Sequence, residues 1–199
     1  MSWEVSPVTP EKLVRRNSLF LGDMKPIADA VSAVAFSGAW EDDGGVFLAG
    51  HRSDIGTHVY DVVLFPPLLA VELEAYRRIN RITFPESLSD ILRSVNGCTL
   101  FKLNIFGVPR SMMENPARLD RSRRAPLDLA TGRSWRSSYA KADPDDILFA
   151  SRNVGWEGQI GYFMSATGRI SGRGNGCREV LDETGPWERV GDWLTSELA

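Results

Sequence analysis

The sequence predicts an α+β fold, with a mainly antiparallel, curved sheet and helices packed against it in a single domain. Three observations lead there. Between Thr83 and Gly107 a helical repeat passes directly into an alternating one. From Ile147 to Ser171 short apolar runs are joined by turn residues, the pattern of hairpins. Helical patterns are grouped towards both ends of the chain instead of alternating with strands. The 199 residues, 43% hydrophobic and 25% charged, are enough to bury one sizeable core.

In chain order, Thr9-Pro10 opens a short helix through Arg16, on N-cap and proline preferences. Asp23 is placed to cap a second helix, with Met24, Ile27, Val31 and Val34 on one face and Gly38 closing it. Glu41 to Gly45 reads as a turn, and Val46 to Ala49 and His58 to Phe65 as strands. Pro66-Pro67 ends the second strand and begins a helix that carries Leu69, Leu73 and Tyr76 inward. Glu74 and Arg78 on that helix have the spacing of a surface pair.

The next helix has both ends written in. Thr83 and Glu86 have capping-box spacing, and Pro85 falls in the first turn, where a missing N–H costs nothing. Phe84, Leu88, Ile91, Leu92 and Val95 repeat at helical spacing, leaving Ser87, Asp90, Arg93 and Ser94 outside. Asn96-Gly97 supplies the stop, with Gly97 expected at positive φ. Beyond it the period falls to two: Phe101, Leu103 and Ile105 face one way, Lys102 and Asn104 the other.

Residues 108–146 are rich in proline and arginine and poor in aliphatics, and read as a long surface excursion. Ile147 to Ala150 and Gln159 to Met164 read as strands, with Ala166-Thr167-Gly168 as a hairpin turn and Arg169 to Ser171 returning. Gly172 to Gly176 reads as another turn and Arg178 to Leu181 as a last strand. Trp187, Val190, Leu194 and Leu198 stripe a closing helix.

The formal net charge of -3 does not suggest nucleic acid as a partner. No apolar run is long enough for a membrane helix, and the N-terminus has neither the basic nor the apolar part of a secretory signal. A cytoplasmic protein with Cys98 and Cys177 as buried free thiols is therefore expected.

His51, Asp54, His58 and Asp61 are the one cluster with metal-ligand chemistry, and they contain both histidines of the chain. Their spacing fits no compact zinc pattern, and exposed imidazoles on a hairpin are the expectation. Gly168 to Gly176 lacks the strand before and helix behind that a phosphate cradle requires. Arg118, Arg121, Arg123 and Arg124 form a basic run without the interleaved aromatics that would stack bases. No nucleophile elbow appears, and neither histidine can be matched to a serine or cysteine. No catalytic residue, metal or cofactor is expected. Asp42-Asp43 and Asp145-Asp146 have the look of solvated turns. Trp156, beside Glu157 in a glycine-flanked loop, is either a lid over the core or an exposed anchor.

Ile82-Thr-Phe-Pro-Glu-Ser-Leu-Ser-Asp-Ile-Leu-Arg-Ser-Val-Asn-Gly97, followed by a strand and Phe106-Gly107, resembles the signature of the SUKH superfamily, which includes the fungal Smi/Knr-like cell-wall assembly regulators. Gly155-Trp156, Gly161-Tyr162-Phe163 and the Trp187 to Leu198 segment follow in the family's order. The resemblance covers roughly residues 66 to 198, so residues 1–65 are expected to be a helix-and-hairpin extension of a SUKH-like unit, 66–199, within one compact body. It implies a non-enzymatic protein-binding module, because many bacterial members look like immunity proteins that neutralise a cognate nuclease- or deaminase-type toxin. The matched positions Phe84, Pro85, Leu88, Asn96 and Gly97 are structural. Candidate contacts for a toxin are Glu41, Asp42, Asp43, Asp143, Asp145, Asp146, Trp156 and Glu157, whose acids would complement a basic partner. The alternatives are an intracellular adaptor of the cell-wall regulator type, or a metal-dependent hydrolase using His51, Asp54, His58 and Asp61.

Overall fold

The structure is a computed structural model that describes residues 4–110, 124–139, 142–154, 158–175 and 184–199. Among the described residues, ten strands make one open antiparallel sheet in which spatial order is chain order. They are β1 (Val5–Pro7), β2 (Ala39–Asp42), β3 (Phe47–His51), β4 (Tyr60–Leu64), β5 (Cys98–Leu100), β6 (Leu103–Ile105), β7 (Ile147–Val154), β8 (Gly158–Met164), β9 (Ile170–Asn175) and β10 (Thr184–Trp187). Helices enter where a connection is long: α1 (Pro10–Asn17) and α2 (Lys25–Ala35) before β2, and α3 (Ala70–Asn80) and α4 (Glu86–Ser94) before β5. α5 (Leu129–Trp135) precedes β7, and α6 (Val190–Leu198) follows β10. The fold is α+β, as expected. Both edge strands carry a proline, Pro7 and Pro186, whose missing N–H blunts further strand addition.

Phe47, Leu64, Cys98, Ile105, Ala150 and Tyr162 face one another across successive strands. That row defines two ends of the sheet. The β2–β3 turn, the α3–α4 connection, the α5 connection and the β8–β9 turn all leave from one end. The β3–β4 and β5–β6 turns leave from the other.

One apolar cluster runs through the molecule, and residues on both sides of position 65 contribute to it: Ile27, Val31 and Phe47 as well as Leu88, Leu92 and Trp193. Trp193 is fully buried and sets its ring 4.9 Å from Phe149 and 5.3 Å from Tyr162. The closing helix thus lies across β7 and β8. Its start also meets the N-terminal part of the chain, where Arg189 pairs with Asp23. A smaller cluster of Val46, Leu48 and Phe65 is flanked by Val5, Trp40, Tyr60 and Val63.

At the centre is the passage from α4 into β5. Phe84, Leu88, Ile91, Leu92 and Val95 are all buried, as their spacing predicts. Buried Asn96 then accepts from Val108 N at 2.7 Å through Oδ1 and donates to Val108 O at 2.8 Å through Nδ2. Gly97 has φ 78, and a Cβ there would stand 2.9 Å from both Gly107 N and Ile105 O. Gly107 is tighter still, since its Cβ would lie 2.3 Å from Asn96 O.

Several local expectations are corrected. Pro85, with ψ 152, is extended, so α4 starts at Glu86 and Thr83 is too far back to cap it. Asp23 makes no side-chain cap, because a 3₁₀ turn, Gly22–Met24, precedes α2. In α3 the extended N-cap is Leu69, which is 65% exposed while Leu68 turns inward. Glu74 meets Arg77 at 3.6 Å instead of Arg78. The strand expected through Phe101 is a hairpin: Leu100 pairs with Leu103, and Phe101 sits at the bend with φ 56 and 43% exposure. Gly172 to Asn175 is strand, held by its pairing to β8, and Trp187 belongs to β10, with the helix starting at Val190. The 108–146 span is partly built into the core, where Val108, Leu129 and Tyr139 are buried. Cys98 is a buried free thiol; Cys177 and the strand expected at 178–181 lie outside the described residues.

Gly97→Val is expected to destabilise the protein by about 1–3 kcal/mol through backbone strain alone, with the contact at Gly107 adding to it. Urea unfolding measures this; a loss below about 0.5 kcal/mol, the scatter of ordinary surface substitutions, would show that the junction tolerates a side chain.

Candidate functional site

The acids singled out in the sequence divide by what their carboxylates already do. Glu41 and Asp42 lie in β2, not in a turn, because the strand pairs on through Glu41↔Phe47. Glu41 receives Lys12 at 2.8 Å and Arg16 at 2.9 Å, which ties α1 to the sheet. Asp42 is 7% exposed, and its Oδ1 accepts from Gly44 N and Val46 N, tightening the turn that follows. Asp43 alone of the three is exposed and outside any ion pair among the described residues.

Asp143, Asp145 and Asp146 form a bend directly before β7. Asp143 Oδ1 accepts from Asp145 N at 2.9 Å, and Asp146 N donates to Asp143 O at 3.2 Å, a self-closing acidic turn. Asp143 and Asp145 are exposed, and Asp146 is half-buried. Burial first, and Asp143 second, push the Asp146 carboxyl above its usual range, while Arg136 and Arg173 oppose them. The Asp43 turn and this bend leave the same end of the sheet, four strands apart. At the usual strand spacing that is about 19 Å. Trp156 and Glu157 lie outside the described residues.

Beside the acidic bend is a cleft of about 350 Å³ lined by Arg133, Arg136, Ser137, Tyr139 and Ala142. Its walls are held in place from below. Asp128 caps α5, accepting from Thr131 N at 2.9 Å, and its other oxygen accepts from buried Tyr76 Oη at 2.6 Å. Burial and that carboxylate push the Tyr76 phenol up, so it remains a donor. Tyr139 packs its ring 5.5 Å from Phe163 and donates to Gln159 Oε1 at 2.9 Å. Arg136 hydrogen-bonds Pro144 O, which joins the cleft to the acidic bend. Sequence reasoning missed these residues. The Asp128–Thr131 capping spacing was a readable signal for the helix, but only tertiary contact puts it beside residues 142–146.

The His51, Asp54, His58, Asp61 set does not converge on a common point. Arg52 takes Asp54 through two bonds, at 2.9 and 2.8 Å, holding that carboxyl below its usual range, and reaches Asp61 at 3.5 Å. His51 lies 5.1 Å from the Tyr60 ring and 6.2 Å from Trp40, with Nε2 3.3 Å from Thr57 O. Among the described residues, no group of three or more His, Cys, Asp or Glu side chains is placed to hold a metal ion. Arg118, Arg121 and Arg123 lie outside the described residues, whereas Arg124 stacks 5.4 Å over Tyr60. Among the described residues, no helix is long and apolar enough to cross a membrane.

No protein-family model, curated protein or solved structure matches the chain.

Asp146→Asn is expected to raise stability modestly near neutral pH. A carboxyl whose folded-state pKa is raised costs stability once ionised, so the gain should vanish as pH falls through the carboxylate range. Thermal unfolding of both proteins across that range tests it; a variant less stable than the parent at pH 7 would show that attraction to Arg136 and Arg173 dominates.

Proposed function

We propose that this chain is a non-enzymatic protein-binding module of the immunity type, which neutralises a cognate toxin by holding it in a stable complex. The observation that carries the reading is the end of the sheet where an acidic bend borders a shallow, open cleft. Asp43, Asp143 and Asp145 are exposed there, and none makes an ion pair among the described residues. Complementary charge of this kind speeds association with a basic partner such as a nucleic-acid-processing toxin. The ordered resemblance to SUKH proteins around Phe84, Asn96-Gly97 and Phe106-Gly107 supports the same class, with residues 1–65 as an extension of the 66–199 unit. The cytoplasm, where such a toxin would act, is the proposed location.

The state of Cys98 and His51 also favours binding over catalysis. Cys98 is fully buried and its thiol is pushed up by desolvation, which disfavours a nucleophilic thiolate. His51 is engaged by aromatic rings and a backbone carbonyl.

Co-expression with a toxin encoded by a neighbouring gene should protect the cell without loss of toxin protein. Asp43→Lys and Asp145→Lys should each slow association with that toxin and flatten its salt dependence, since long-range attraction between exposed charges is screened by salt. Both side chains are exposed, so thermal transitions should stay nearly unchanged. Stopped-flow association at several salt concentrations is the check. Unchanged rates in both variants would move the interface elsewhere, and no complex with any neighbouring product would overturn the immunity reading.

A further inference from the structure

We propose that the cleft between α5 and the start of β7 receives a carboxylate of the protein partner, from an Asp or Glu side chain adjacent in sequence to a Lys or Arg. This rests on the binding-module reading and specifies the chemistry that one part of the interface recognises.

The cleft is large enough for a small polar group, and its lining includes Arg133, Arg136, Ser137 and Tyr139. Its two arginines, like Arg15, Arg78 and Arg81, stand outside any ion pair among the described residues. Arg16, Arg52, Arg93, Arg110, Arg152 and Arg189 each stand within ion-pair distance of a carboxylate. Arg133 instead makes one long contact, 3.5 Å to Asn80 O, and Arg136 binds the carbonyl of Pro144. Neither has a carboxylate within ion-pair distance among the described residues. Guanidinium forks match the two oxygens of a carboxylate or a phosphate, and bonds to an ionised acceptor are among the stronger hydrogen bonds in proteins.

The surrounding charge selects between those two anions. Asp146 is near enough to Arg136 to feel its field, and Asp143 and Asp145 are near enough to Asp146 to oppose its ionisation. A phosphate dianion would meet that acidic bend with twice the charge of a carboxylate. A single carboxylate beside a cationic residue meets complementary charge on both sides, from Arg133 and Arg136 of the cleft lining and from Asp143 and Asp145 of the neighbouring bend. The walls need little rearrangement to bind. A Cβ on Gly132 would be 3.1 Å from Leu148 O, so α5 already sits tightly against β7, and Tyr139 is fixed at both ring and hydroxyl.

The test is a nitrogen-15 NMR titration of the whole chain with blocked acetyl-Glu-Lys-amide and, separately, inorganic phosphate. The dipeptide should give saturable amide shifts at 133–139 and 142–146, at lower concentration than phosphate. Arg133→Gln, at an exposed position with one long contact, should keep the thermal transition and weaken the dipeptide about tenfold, as loss of a charge-assisted partner does. Phosphate binding more tightly than the dipeptide, shifts that persist in Arg133→Gln, or no shifts at these residues would each overturn the proposal. Because the titration needs no protein partner, it separates the two readings: dipeptide binding without any toxin complex would leave the cleft standing and remove the immunity assignment.

Discussion

The carboxamide of Asn96 answers both backbone polar groups of Val108 inside the core, and the fold is arranged around that exchange. A buried backbone group left without a partner costs roughly 1–3 kcal/mol, so one side chain settles two such debts where several segments meet. Phe65 N donates to Gly97 O and Asn96 N to Phe65 O, which binds the exit of β4 to the entrance of β5. Gly107 N donates to Leu127 O and Leu129 N to Gly107 O, which binds the exit of β6 to the approach of α5. The backbones come so close that neither Gly97 nor Gly107 has room for a Cβ. The helical pair α3–α4 and the α5 segment are therefore anchored at one junction at one end of the sheet.

The candidate surface depends on this anchoring. From Gly107 the chain pairs with Asp128 in a short parallel bridge, and Asp128 in turn caps α5 and receives Tyr76 from α3. α5 and the turn after it present Arg133, Arg136 and Tyr139 next to the acidic bend before β7. Opposite charges thus come to lie side by side on elements held by buried hydrogen bonds, which suits recognition with little reordering on binding. The other end of the sheet is built differently: Arg52 engages Asp54 and Asp61, and His51 lies against aromatic rings.

Much of the framework could be read from the sequence because the signals were local. The α4 stripe follows from spacing, Gly97 from the need for a left-handed stop, and Thr9-Pro10 from capping preferences, and Thr9 does accept from Lys12 N. Where the sequence misled, a local pattern had two solutions and tertiary contact chose. Leu68-Leu69 offers two inward registers, and the extended N-cap at Leu69 selects Leu68. Phe101 carries no hairpin signal, since an aromatic at positive φ is unfavourable alone and is held by the β5–β6 pairing and by its own N–H donating to Asp61 O. Asp42-Asp43 reads as one solvated pair, yet Asp42 is buried by the hydrogen bonds of its own turn. The cleft was illegible because its lining is contributed by segments separated by Ala140 and Lys141 and completed only when α5 docks on β7.

The dependence of that surface on the Asn96 junction can be measured by native-state hydrogen exchange on Asn96→Ala. The expected result is a loss of protection at Val108, Gly107 and Leu129 that exceeds the overall fall in stability, while the β3–β4 ladder falls only with that overall loss. If those three amides keep their protection, or fall no further than the β3–β4 ladder, Asn96 is not what ties α5 and the candidate surface to the sheet.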